Sequence, residues 1–430
     1  MKEIALSCLA LAAAAAVPAG AQESVKWGPG LGFSVPGSDF KAALTGYVQE
    51  DFRSYRDFEF DEAQQVDQLN PTRETRRTRL GTELQWKLLS LDVQTDLADD
   101  KEHLKNAYGE LKFSPAFRVR GGKFKLPFSA EFLTSAAKTD FIERSMATNR
   151  LGTDRDWGGM VWGEIHRRVL YQAGVFRGDS RSNDPVTNVS ISAKTTVAGR
   201  LVFTPVEGLD VGGSFTTADV EALPQVANSD TAPKARGFEG KGPSGYRFSV
   251  RHYVQGHRLR LGAEATWTSG PVGMKAEYIQ AREQRLGQSA RCQVAGGGFT
   301  CDDLPDVTGR GWTVSGTWLL TGDKKRRTIE PEHPMPRGVG AIELAVRYEQ
   351  LRFDDDGPDT GFEGAGARSS NIRPAGDRSF TGGVSWWPTK WTRFMGDVSV
   401  ERYLDPVLAP VPNRRGSYVT LAGRLQVGLP

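Results

Sequence analysis

The sequence predicts an all-β chain folded as a 16-stranded antiparallel transmembrane β-barrel with inward-folded loops. Three observations carry that expectation. Apolar and polar residues alternate with period two in short segments along the chain, the connections between segments alternate short and long, and aromatic residues gather where segments end. Successive side chains of a strand point to opposite faces, so a wall between lipid and water reads this way. Composition agrees: 49 Gly, 21 Phe and 10 Trp in 430 residues suit turns and an aromatic girdle better than a helical enzyme. After the first 21 residues no apolar run approaches the roughly 18–20 residues of a spanning helix. The 55 Lys and Arg nearly balance the 52 Asp and Glu, so no global basic field points to nucleic acid.

The N-terminus comes first. Lys2, the apolar run Ile4–Val17 and Ala19-Gly20-Ala21 make residues 1–21 read as a signal peptide. Residues 22–38 are then an N-terminal periplasmic segment, and residues 39–430 the barrel. Two cysteines remain after cleavage, Cys292 and Cys301, eight residues apart by their flanking spacing in a Gly-rich stretch. In an exported chain that pair predicts one loop disulfide. No metal site or cofactor is expected.

Strand-like segments fall near 40–56, 76–86, 89–97, 104–113, 117–126, 158–164, 169–178, 193–204, 209–217, 246–268, 272–282, 311–321, 339–352, 379–387, 391–403 and 417–429. In the last, Val419, Leu421, Leu425, Val427 and Leu429 alternate with Thr420, Arg424 and Gln426. The 246–268 segment is counted once, because single-chain bacterial barrels are even-numbered. Tight links near 87–90, 114–116, 166–168, 205–208, 269–271 and 388–390 lie on one side, and long loops such as 57–74, 129–156 and 220–245 on the other. Trp86, Trp267, Trp318, Trp386, Trp387, Trp391 and Tyr403 stand where an interfacial girdle belongs. At sixteen strands the interior is too wide for side chains to fill, and a water channel remains.

Cations cluster on the predicted lumen side. Arg76, Arg77 and Arg79 open the second strand, and Arg77 and Arg79 share the lumen parity. Arg118 and Arg120 have one parity on the fifth strand, and Lys123 and Lys125 the other, with Gly121-Gly122 between. A bulge at the glycines would bring all four to the lumen. Without it, two lysines face lipid or the rim, at up to about 2–4 kcal/mol each at the midplane. Rows of Lys and Arg attract and partly dehydrate anions, and guanidinium forks match phosphate oxygens. A mixed lining is the competing reading, since Glu83, Asp92, Asp96 and Glu110 lie on neighbouring strands. Loop 129–156 mixes Phe132, Leu133, Phe141 and Ile142 with Lys138, Arg144, Arg150 and Arg155, which suits folding into the barrel as a constriction. An ordinary surface loop is the alternative. Lys324–Arg327, in the 323–337 turn, reads either as an inward anion relay or as a solvated basic turn, and Asp354–Asp356 as a solvated acidic tip.

Arg76–Gly81 (RRTRLG), Asn106–Phe113 (NAYGELKF), Gly122–Phe128 (GKFKLPF), Leu133–Ser145 (LTSAAKTDFIERS), Ala173–Gly178 (AGVFRG) and Trp318–Asp323 (WLLTGD) resemble the phosphate-selective porin O and P family. The resemblance implies a homotrimeric outer-membrane porin with inward-folded loops and a ladder of cations passing phosphate or polyphosphate. It maps Arg76 and Arg77 onto the family's arginine pair, Lys125 onto its strand-five lysine, and Ser135 and Arg144 onto the inward loop. The departures are Ala136 and Ala137, with Lys138 displaced by one, an N-terminal strand carrying only Lys41 and Arg53, and Pro430 in place of a terminal aromatic.

The expected function is therefore passive diffusion of anions, inorganic phosphate among them, through a bacterial outer membrane of lipid and lipopolysaccharide. The alternatives are a general diffusion porin or a closed-lumen adhesin. Five histidines without a nucleophile and orienting partner, and no G-x-S-x-G, H-E-x-x-H or phosphate loop, argue against an enzyme.

Overall fold

The structure is a computed structural model that describes residues 26–27, 31–34, 39–56, 72–99, 103–178, 194–221, 237–289, 291–295, 298–358, 361–362, 369–408 and 417–429. Residues 1–21, read as a signal peptide, lie outside the described residues.

Sixteen long strands form the wall. In chain order they are β1 (Phe40–Arg56), β2 (Thr72–Trp86), β3 (Leu89–Asp96), β4 (Leu104–Ser114), β5 (Phe117–Lys125), β6 (Arg155–Ile165), β7 (Val169–Phe176) and β8 (Thr196–Val206). The second half comprises β9 (Leu209–Val220), β10 (Gly256–Ser269), β11 (Val272–Arg285), β12 (Leu304–Leu319), β13 (Ala341–Asp355), β14 (Ala375–Thr389), β15 (Thr392–Tyr403) and β16 (Tyr418–Gly428). Each strand pairs antiparallel with the next, and β16 pairs with β1 from Val419↔Arg56 to Gly428↔Tyr47. The sheet is closed, so no edge carries unpaired amides into lipid. Below the end of β16, the short strand Leu31–Ser34 continues the pairing along β1, from Leu31↔Leu44 to Ser34↔Lys41.

Alternation sets the two faces. Leu80, Val175, Leu201, Phe215, Val346 and Phe380 are exposed on the outer surface, where bilayer covers them. Their neighbours Arg79, Arg200, Ser214, Arg347 and Thr381 are buried or nearly so on the inside. The wall therefore carries apolar residues outward and full charges inward.

Three expectations need correction. The 246–268 segment is not one strand: β10 begins at Gly256, and Arg247–Ser249 pairs instead with Gly240–Lys241 in a small separate ribbon. Several strands run further toward the long-loop side than polarity suggests; β12 starts at Leu304. The girdle also loses members. Trp86 and Trp318 are more than half exposed, but Trp387 lies under the Arg393 guanidinium and Tyr403 is buried among Phe248, Tyr246 and Tyr418.

Outside the barrel proper, Cys301 is disulfide-bonded, and its register partner in the ribbon Cys292–Ala295/Gly298–Cys301 is Cys292.

Candidate functional site

The loop between β5 and β6, residues 126–154, folds into the barrel. It carries two short helices, α1 (Ala130–Leu133) and α2 (Met146–Leu151). Ser129 caps α1, accepting the Phe132 N–H at 3.0 Å, and Ser145 caps α2, accepting the Thr148 N–H at 3.3 Å. Such caps contribute about 1 kcal/mol each. The Ser129 hydroxyl also donates to Glu277 across the lumen at 3.0 Å, which helps hold Ser129 at a left-handed φ of 64°.

A loop with little regular structure leaves main-chain groups unsatisfied, and buried ones need partners. The far wall provides them. Arg393 donates to the Thr139 carbonyl, Arg424 to Ile142 and Arg347 to Glu143, each at 2.8 Å. Arg260 donates to the Leu151 carbonyl at 2.9 Å. Asp397 accepts the Ile142 N–H at 2.7 Å, and Glu349 accepts that of Met146 at 2.5 Å. These arginines of β10, β13, β15 and β16 thus serve the loop backbone. Phe141 and Ile142 are buried, so the surface-loop reading is wrong.

A second segment covers the outer mouth on the same side. Phe238 and Phe248 pack with Met146 and Leu151 of α2 and with Phe353, Tyr403 and Tyr418 of the wall. Burying each such ring contributes about 1.5–3 kcal/mol. One flank of the lumen, along β10–β16, thereby carries the inward segments.

Seven of the expected cations fall into three groups. Arg79 and Arg120 are neutralised: Arg79 meets Asp96 at 2.9 Å, and Arg120 binds Glu110 through two nitrogens at 2.6 and 2.8 Å. Here the mixed-lining reading holds. Arg118 stacks on Trp162 at 4.4 Å, while Lys123 is buried with its ammonium on the Leu104 carbonyl at 2.8 Å. Among the described residues the third group, Arg77, Lys125 and Arg144, meets only uncharged hydrogen-bond acceptors. Arg77 donates to Gln49 Oε1 at 3.0 Å. Lys125 donates to the carbonyls of Phe132, Leu133 and Thr134, and Arg144 to those of Glu131 and Thr134. Two cations therefore converge on one oxygen, Thr134 O, at 3.0 and 2.9 Å, and both lie over the Phe132 ring. Burial holds the Arg144 guanidinium below its ordinary value, although Glu131 and Asp154 act against that. Ser135 and Lys138, just beyond, are exposed to the lumen.

Two register expectations come out differently. The ladder passes Gly121 and Gly122 without a shift on either side, so the expected bulge is absent there. Gly122 instead adopts φ 129°, and a Cβ would lie 2.2 Å from the Ala107 carbonyl oxygen, which requires glycine. The bulge is in β2. Gln49 pairs with Arg77 and Glu50 with Thr75, leaving Arg76 as the extra residue. Arg76 thereby joins Arg77 inside, its Nε 3.5 Å from the carboxylate of Glu143.

The basic turn also enters the lumen. Lys325 binds Asp140 at the loop tip, 2.8 Å, and Glu343 of β13 at 2.5 Å; Lys275 binds the other Asp140 oxygen at 2.6 Å. Burial alone would raise the Asp140 carboxyl, but the two lysines hold it well below the usual carboxylate range. The acidic tip is likewise engaged: Asp354 pairs with Arg310 and Arg352, and Asp356 with Arg282. Among the described residues no cluster has a metal-ligand arrangement.

Sequence reasoning passed over Gln49, Glu131, Asp140 and Glu143. For Glu131, Asp140 and Glu143 the signal was the presence of acids inside a loop read as basic and apolar; Gln49, on β1, gave none.

With this geometry in hand, comparisons place the chain. A family model, phosphate-selective porin O and P, matches residues 43–428. No curated protein sequence matches significantly. Among solved structures, the anion-selective porin from Comamonas acidovorans superimposes with TM-score 0.56 at 12% identity, covering 91% of this chain and 100% of that one. OmpF of Salmonella typhi, solved with daunomycin, gives 0.56 at 9% identity, covering 91% and 98%. The trimer form of OmpT, an outer membrane protein of Vibrio cholerae, gives 0.54 at 11% identity, covering 90% and 99%. At such identities the likeness is one of fold. The chain belongs to the phosphate-selective porin O and P family, and its closed sixteen-stranded barrel is that of an outer-membrane channel.

Proposed function

We propose that the chain is exported on residues 1–21, assembles as a homotrimer in the lipopolysaccharide-bearing outer membrane, and passes small anions by passive diffusion. Inorganic phosphate and polyphosphate are the anions its chemistry fits best. The observation that carries this reading is the convergence of Lys125 and Arg144 on Thr134 O, with no ion pair to either among the described residues. A cation paired with an acid presents little field to a passing ion, whereas one bonded to carbonyls keeps its full charge. An oxyanion arriving there can exchange water for the guanidinium fork of Arg144 and the hydroxyl of Ser135. The matched family and the anion-selective relative support the direction. The trimer form of OmpT supports the assembly.

A second reading, a general diffusion porin, is favoured by the Arg79–Asp96 and Arg120–Glu110 pairs. Single-channel recording separates the two. A reversal potential indicating anion preference in a KCl gradient, with chloride current blocked by micromolar phosphate, supports an oxyanion channel. Anion preference with block only at millimolar phosphate or none fits a general anion pore, and no preference refutes the proposal.

A further inference from the structure

Four guanidiniums ring one carboxylate in the lumen. Glu143 Oε1 accepts from Arg53 Nη2 at 2.7 Å and lies 3.5 Å from Arg76 Nε. Arg77 and Arg424 complete its positive surroundings, and although burial opposes charge, these arginines hold the Glu143 carboxyl well below the usual carboxylate range. Two other acids share the neighbourhood. Asp51 binds Arg424 at 2.6 and 2.7 Å and lies 3.7 Å from Arg53, and Glu74 lies loosely at 3.9 Å from Arg53 and 3.8 Å from Arg76. Glu143 is thus the acid that engages Arg53 and Arg76 most closely from the lumen side.

The main chain beneath it is pinned independently. The Ile142 amide binds Asp397, the Ile142 carbonyl binds Arg424, and the Glu143 carbonyl binds Arg347. The side chain can therefore swing away without unfolding the loop. An arginine cradle holding a carboxylate on a fixed stalk has the chemistry of an oxyanion site already occupied.

We infer that Glu143 is a tethered stand-in for the permeating anion, occupying the Arg53–Arg76–Arg77 cradle until a multivalent oxyanion displaces it. The inference rests on the oxyanion-channel reading and adds what sets its affinity and selectivity. A chloride ion carries one negative charge and no forked acceptors, so replacing a bonded carboxylate gains it nothing. Hydrogen phosphate or a polyphosphate carries more charge and several oxygens for bidentate guanidinium bonds. The cradle therefore discriminates by charge and shape, and Glu143 holds binding weak enough for release.

The test is phosphate titration of chloride current through the trimeric full-length channel, wild type against Glu143→Gln. Removing one unit charge at contact range is worth about tenfold in affinity in a partly hydrated lumen. Block by inorganic phosphate is expected at about tenfold lower concentration in Glu143→Gln, with the reversal potential shifted toward anions. Equal half-block concentrations in an anion-selective wild type and variant overturn the inference while leaving the oxyanion channel intact. Absence of anion preference in wild type sinks the channel reading itself. If Glu143→Gln does not assemble, Glu143→Asp decides. Its shorter carboxylate, drawn back from Arg53, lowers the half-block concentration, and an unchanged or higher value overturns the inference.

Discussion

Lys125 and Lys325 are both lysines drawn into the barrel from its wall or turns, yet they occupy opposite electrostatic regimes. Lys325 lies between Asp140 and Glu343 and shares Asp140 with Lys275, so its charge is spent on holding the loop tip. Lys125 meets three carbonyls, one of them shared with Arg144. The difference extends to the two flanks of the lumen. Along β10–β16, charges are consumed in anchoring the inward segments. Along β1–β6 and the inner face of the loop, some stay open to a passing ion. What matters for conduction is the partner of each cation, not the number of cations.

The largest effect that tests this contrast is Lys125→Glu. Reversing an unpaired charge in the lumen changes the anion-to-cation permeability ratio on the order of tenfold, whereas Lys325→Gln leaves the ratio nearly unchanged. Equal effects from both, read as reversal potentials, would erase the distinction. Next comes Asp140→Asn, which leaves Lys275 and Lys325 without their shared carboxylate. Anion preference rises about threefold, and the loop tip, having lost its clamp, adds open-channel noise. A quiet channel with unaltered preference would place the lysines outside the conducting field.

Acid gives a third test, on the filled flank. His252 is buried with neither ring nitrogen hydrogen-bonded, and burial, helped by Arg285, pushes it down to about 3. Its folded value lies below the unfolded one, so the mouth cover is at full stability above about pH 6.5 and loses about 1.4 kcal/mol per pH unit as pH falls toward 3. Gating noise that grows below pH 6 and is suppressed in His252→Leu is the expected record. Asp140 is also held low, in its case by Lys275 and Lys325 and against burial, so the lysine clamp contributes in full above the ordinary carboxylate range and is lost only as pH falls below it. The smallest effect is Arg120→Gln. Because Glu110 already neutralises that guanidinium, the variant moves selectivity slightly toward cations, by about twofold or less, and less than Arg77→Gln does.

Much of the wall was legible because a strand writes its two faces into every second residue. The limits of β1, β3, β5 and β15 follow from alternation to within a residue or so, since the two faces of each differ in solvent. The lining was legible only as composition. Arg76 could not be placed by parity, because one inserted residue changes the side of everything read from it. Lys325 was visible as part of a basic run, but Asp140 lies 185 residues away, and no local pattern reports a pairing across the lumen. Tyr403 and Trp387 stood at strand ends like girdle residues, and only the inward fold of residues 237–249 and the Arg393 side chain show that they belong to the interior.

The extra residue in β2 has a consequence for how this wall can change. Deleting Arg76 would let Thr75 and Arg77 sit as ordinary neighbours opposite Glu50 and Gln49, with every other rung of the ladder where it was. A codon can thus be gained or lost at this one position without turning the remainder of the strand inside out. Lineages, or engineers, can titrate the electrical character of the passage there in single steps while the enclosing cylinder stays as built.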